Sequence, residues 1–221
     1  MSPIGENLQR VRERMAAAAR RAGRSSAGVA LCAVSKGRPA DRVREAIGAG
    51  VTLLGENRVQ EGLPKIEAMQ DLAGLVSWHL IGHLQRNKAR RAIDAFDVIQ
   101  SVDSRELAGR LASLGVERGR PVRAFAEIRT SDEPAKTGLA LEGAEAVVTE
   151  WIATPGLALE GLMTMAPFTD DERRIRAAFA ALARLGERTG LRELSMGMSD
   201  DFEIAIEEGS TMVRVGRAIF G

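Results

Sequence analysis

Of the 31 basic residues in this chain, only four are lysines: Lys36, Lys65, Lys88 and Lys136. Where positive charge alone is needed, the sequence uses arginine. Each lysine is therefore a candidate for what arginine cannot do, which is to lose its proton and act as an amine nucleophile. Lys36 follows the apolar run 29–34, and partial burial at the end of such a run favours a neutral amine able to condense with an aldehyde. Lys65 falls on a predicted helix and reads as a chance survivor. Near the C-terminus, Gly197-Met198-Ser199 offers a flexible backbone and a hydroxyl, while Arg214 and Gly216 offer a guanidinium and room for backbone N–H groups to approach an anion. Cys32 is the only cysteine, so neither an intramolecular disulfide nor a cysteine metal cluster can form. His79 and His83 stand four apart, a spacing that suits a metal pair on a helix. The run 78–82 reads as a strand, so no metal is expected.

Those groups need elements to position them. An amphipathic helix opens the chain, with Ile4, Leu8, Val11 and Met15 at helical spacing and Gly23 as its stop. Short apolar runs then alternate with helical patterns. Strands are expected at 29–34, 52–54, 77–81, 97–100, 122–128, 157–162, 191–194 and 212–215. Helices are expected at 39–49, 59–69, 86–95, 104–116, 141–152, 170–188 and 201–208, so that each strand but the last is followed by one. Pro39 and Gly50 bracket the second helix, and Ser104 is a fair N-cap. Strict alternation implies parallel strands with right-handed crossovers. Eight such units in 221 residues fit a single α/β domain, residues 1–221: a (β/α)8 TIM-type barrel with an extra N-terminal helix. An open doubly wound sheet is the alternative, but no GxGxxG follows the first strand.

In such a barrel the functional residues lie at the C-terminal strand ends, with phosphate commonly held between the loops after the seventh and eighth strands. Those loops here carry Ser199, Arg214 and Gly216. Lys36 ends the first strand, which neighbours the eighth once the barrel closes. A reactive amine beside an anion cup describes a ligand with an aldehyde and a phosphate on one rigid ring, which is pyridoxal 5′-phosphate (PLP).

Composition narrows the partners. The formal net charge is +1 with 28% charged and 4% aromatic residues, unlike the basic, aromatic-studded face of a nucleic-acid binder. No apolar run is long enough to span a bilayer, and the Arg- and Glu-rich N-terminus lacks a signal core. A cytoplasmic protein with small-molecule partners is expected, without nucleic acid or membrane, and as a monomer.

Taken together, several segments closely resemble the pyridoxal phosphate homeostasis protein family. They are Ala33-Val34-Ser35-Lys36, Gly55-Glu56-Asn57-Arg58-Val59-Gln60-Glu61, the run from Trp78 to Lys88, Gly161-Leu162-Met163-Thr164, the run from Leu194 to Asp201, and the run from Gly209 to Gly216. The resemblance implies an alanine-racemase-type PLP barrel without that enzyme's second domain, and Lys36 as the Schiff-base lysine. It implies Ser199, Arg214 and the backbone around Gly216 and Arg217 as phosphate contacts, with Asn57 close to the cofactor. His83, Lys136 and Met163 are placed at the rim, Lys136 with a part in cofactor uptake or transfer. Lys88 falls at a helix start near the site, in a structural or rim role.

Two positions depart from the family pattern: Arg217 stands where Thr is usual, and Arg129 where Asn is frequent. The implied function is holding, buffering or delivering PLP, with PLP-dependent apoenzymes as recipients and no dedicated catalysis. The rival reading is a PLP-dependent amino-acid racemase of low activity. A barrel racemase uses a tyrosine on one face of the substrate, and this chain contains no tyrosine. A Schiff-base aldolase using Lys36, with Glu56 or Glu127 as its acid, and a pure interaction module are further alternatives.

Overall fold

The computed structural model describes residues 2–131, 133 and 137–221. In chain order its main elements are α1 (Pro3–Arg21), β1 (Ala30–Val34), α2 (Ala40–Gly48), β2 (Leu53–Glu56), α3 (Val59–Ala68), β3 (Ser77–Leu80), α4 (Ala89–Ala95), β4 (Val98–Val102) and α5 (Arg105–Glu117). They continue with β5 (Val122–Arg129), β6 (Leu139–Ala140), α6 (Ala144–Ile152), β7 (Leu157–Met163), α7 (Glu172–Thr189), β8 (Glu193–Ser195), α8 (Phe202–Glu207), β9 (Met212–Val215) and α9 (Arg217–Phe220). All strand pairings are parallel, and they run β4-β3-β2-β1-β9-β8-β7-β5, with β4 pairing β5 to close the ring. The expected eight-stranded barrel is therefore present, ringed by helices.

Three details differ from the expectation. The two-residue β6 adds to the C-terminal end of β5; so short a pairing carries no period to read. The strand expected at 191–194 lies at Glu193–Ser195, because residues 191–192 follow the left-handed Gly190 that ends α7. The last strand is also followed by a helix, α9, whose four residues are too few to show a periodicity.

Local chemistry accounts for the element boundaries. The Ser2 hydroxyl accepts from Gly5 N–H at 3.3 Å and Pro3 occupies the first helical turn of α1. Ser104 caps α5 by accepting from Leu107 N–H. The buried stripe of α1 packs toward α8, α9 and α2. Each large apolar side chain buried in this way contributes about 1.5–3 kcal/mol. Among the described residues no helix is long and apolar enough to cross a membrane.

The strands divide their side chains with period two. Ala33, Leu54, Leu80, Ile99, Leu162 and Val213 join the layer shared with the helices. Cys32, Val98, Phe125, Met163 and Met212 form a separate cluster inside the ring. That interior also carries a chain of polar groups. Arg214 Nη1 donates to Ser195 Oγ at 2.8 Å, Ser195 Oγ to Gln100 Oε1 at 2.6 Å, and Gln100 Nε2 to His79 Nδ1 at 2.7 Å. All four residues are buried, and the linked bonds meet the requirement that buried polar groups find partners.

Candidate functional site at the barrel mouth

On β1, residues alternate in and out, so Cys32, Val34 and Lys36 share the inward parity. Ser35 N–H donates to Gly55 O at 3.0 Å and Arg38 N–H returns to Ser35 O at 3.0 Å, closing a turn under Lys36. The partial burial expected for Lys36 is not found: its side chain is exposed at the mouth. The turn at Ser35–Arg38 lifts it above the rim of the strand.

Lys36 lines a cavity of about 400 Å³ together with Asn57, Ser199, Arg214, Gly216 and Arg217. The side wall adds Ile81, Gly82, His83, Glu127, Thr137, Met165 and Met198. Asn57 continues the inward parity of β2, and its backbone lies hard against Gly82, where a Cβ would come 2.3 Å from Asn57 O. Only glycine fits there. At Gly197 the backbone takes φ +97°, and a Cβ would fall 2.5 Å from Ala205 Cβ. This close approach seats the β8–α8 loop so that Ser199 faces the cavity. Asp201 Oδ1 accepts Met198 N–H and fixes the same loop; burial raises the Asp201 carboxyl above its usual range.

Arg214 is 4% exposed. Its Nη1 donates to Ser195 O at 2.7 Å as well as to Ser195 Oγ, and its Nη2 to Thr164 O at 2.8 Å. Burial lowers its pKa, against the opposing fields of Cys32, Asp201 and Glu127, yet a guanidinium keeps its charge in any protein setting. Arg214 is thus a fixed cation in the cavity floor, held by strand-end oxygens. Arg217 is exposed, and its guanidinium pairs with Asp200 of the neighbouring loop.

Acid–base groups also reach the wall. His83 Nδ1 lies 2.8 Å from Asp103 Oδ2. Glu127 is 2% exposed and accepts from Thr137 Oγ1 at 2.7 Å; burial raises its pKa, which Thr137 partly offsets.

Met163 is corrected: it is 1% exposed within the barrel interior, and the methionines at the wall are Met165 and Met198. With period two Met163 and Met165 share a face, and Met163 sits one layer lower. Lys88 ends a 3-10 turn and borders an adjoining cleft with Arg58 and His83. Arg129 ends β5. Lys136 lies outside the described residues.

Sequence reading missed Lys65. Far from being a chance survivor, it is a partly buried donor to Glu56 Oε1 and to Ser35 O, each at 2.6 Å. Its position one turn beyond the buried Gly62 on α3 was the available signal, since i and i+3 share a helix face.

Residues 7–221 match the family model described as alanine racemase, N-terminal domain. The Escherichia coli protein named pyridoxal phosphate homeostasis protein is 42% identical over 228 residues, covering 100% of this chain and 97% of that one. The solved structure of PipY from Synechococcus elongatus with PLP bound superposes with a TM-score of 0.85 at 36% identity, covering 99% of this chain and 100% of that one. Alanine racemase from Corynebacterium glutamicum shares the fold, with a TM-score of 0.68 at 20% identity over 99% of this chain and 60% of that one. The chain belongs to the pyridoxal phosphate homeostasis protein family, built on the barrel of the alanine racemase N-terminal domain.

Proposed function

We propose that this chain binds PLP in the barrel mouth, tethered through Lys36 Nζ, and serves the cytoplasm as a PLP carrier or buffer rather than as an enzyme. One observation carries the reading: six residues from four strand ends, Lys36, Asn57, Ser199, Arg214, Gly216 and Arg217, line one cavity. Its volume of about 400 Å³ falls within the range of about 300–1,000 Å³ typical of cofactor sites.

The donor set fits the group. Lys36 supplies an accessible amine. Ser199 supplies a hydroxyl, and the backbone at Gly216 and Arg217 supplies N–H groups for the phosphate. Asn57 offers an amide beside the ring, and Arg214 places a fixed positive charge beneath a dianionic ligand. When bound, PLP supplies an aldehyde that condenses with an amine. The carrier reading draws support from the relatives' names, which speak of homeostasis, and from a chain without tyrosine.

The test is direct. The purified protein incubated with PLP should turn yellow, and borohydride should add the cofactor's mass to the peptide containing Lys36. A label on Lys65, Lys88 or Lys136 instead, or none at all, would overturn the proposal.

The Arg217–Asp200 pair yields a further expectation. Both side chains are largely exposed, at 73% and 76%, and such pairs are worth about 0–1 kcal/mol. Asp200→Asn releases the guanidinium toward the phosphate. Affinity for PLP should rise by about threefold, read by titration calorimetry at low salt. An unchanged affinity would mean that Asp200 does not compete for Arg217.

A further inference from the structure

We propose that Lys65, Glu56 and Ser35 form a buried clamp whose role is to position Lys36 and Asn57 for the cofactor. The inference rests on the reading of Lys36 given above and assigns a task to three residues behind the site.

The clamp lies on the outer side of the barrel wall, under α3. Lys65 Nζ donates to Glu56 Oε1 and to Ser35 O, and Ser35 Oγ donates to the same Glu56 oxygen, all at 2.6 Å. Ser35 is fully buried, and its N–H and C=O carry two further backbone bonds, to Gly55 and Arg38. Every polar atom of Ser35 is therefore held, in the residue immediately before Lys36. Glu56 is fixed in the same way immediately before Asn57, with its carbonyl accepting Ile81 N–H at 2.9 Å. The side chains of 35 and 56 face outward into the clamp, so by strand alternation those of 36 and 57 face the cavity.

Energetics argue against a purely stabilising pair. The side chains are 11% and 0% exposed, and Glu56 Oε2 is buried without a hydrogen-bond partner among the described residues. A buried ion pair with an unsatisfied oxygen loses in desolvation much of what it gains in attraction, and apolar replacements of such pairs are often neutral or stabilising. What the pair does deliver is a fixed peptide plane at the root of the amine. Arginine is a poor substitute, because its bulkier planar head would have to fit where lysine places a single nitrogen between Glu56 and Ser35.

The experiment uses the full chain as wild type and as the double variant Glu56→Met/Lys65→Met, which leaves no unpaired buried charge should either single variant fail to fold. Hydrogen exchange is followed in the cofactor-free protein, and PLP affinity is measured by absorbance titration. The clamp predicts a melting temperature near that of wild type, exchange at least tenfold faster confined to residues 34–38 and 56–58, and PLP binding about tenfold weaker. Lys65→Arg should reproduce the loss. Wild-type exchange in those segments would overturn the clamp, and so would a low melting temperature with faster exchange spread evenly through β4. If the wild-type protein failed to attach PLP at Lys36, the carrier reading would fall, while the cofactor-free exchange would still decide whether the clamp holds the two strand ends.

Discussion

Lys36→Ala should abolish borohydride fixation of PLP completely and weaken PLP binding by about a hundredfold, equivalent to about 2.7 kcal/mol. The phosphate contacts proposed for the β8 and β9 loops are untouched in this variant, so weak reversible binding should remain while the reducible linkage does not form. No described lysine can substitute. Lys65 is engaged outside the wall with Glu56, and Lys88 borders the neighbouring cleft. Folding should be unaffected, because Lys36 is exposed and surface truncations usually change stability by less than about 0.5 kcal/mol. Lys36→Arg is the sharper variant: it keeps the charge but provides no nucleophilic amine, and it should behave like alanine in a borohydride and mass-spectrometry assay. Fixation that survives in either variant would relocate the site.

The second large effect concerns acid. His79 is 4% exposed inside the barrel. Its pKa is pushed down to about 4 by burial, then by the charge of Arg123, against the opposing field of Asp97. Its Nδ1 must accept, because its partner is the Gln100 amide nitrogen and an amide NH2 only donates. The unfolded chain takes up this proton near pH 6.5, the folded chain only near pH 4. The contribution is therefore fully present above pH 6.5 and is lost progressively as pH falls toward 4.

The loss amounts to about 3 kcal/mol, a large share of the roughly 5–15 kcal/mol that holds a domain folded. Glu127 and Asp201 act in the opposite sense. Burial raises their pKa values, so their protonation as pH falls adds stability. The difference between wild type and His79→Gln isolates the histidine. Urea midpoints measured from pH 7.5 to 4 should converge as pH falls, with a slope approaching one proton between 6.5 and 4. Parallel curves would show that His79 does not titrate this way. Folded His79 stays neutral until pH nears 4, so the line of bonds from Arg214 through Ser195 and Gln100 to His79 persists across this window, and the effect falls on stability.

Much of the architecture was legible because it rests on local periodicity. The apolar runs gave all eight barrel strands, and alternation with amphipathic helices gave the closed parallel ring. Lys36 stood out because lysine is rare in this chain, and Ser199 and Gly216 because their loops follow neighbouring strands. Met163 was misplaced since a period of two assigns a face but not a depth, and Met165 shares that face one layer nearer the mouth. The exposure of Lys36 also escaped a linear reading, because the Ser35–Arg38 turn lifts it out of the wall.

The amino-acid order by itself determined the barrel, the candidate amine and the loops that line the cavity, through patterns spanning a few neighbours along the chain. Only the tertiary structure decided that Lys65 braces Ser35 and Glu56, that Asp200 holds Arg217, and that His79, Gln100, Ser195 and Arg214 share one line of hydrogen bonds. Those partners lie from 9 to 95 residues apart. Ring closure brings them within bonding distance, and burial then obliges each polar group to find a mate.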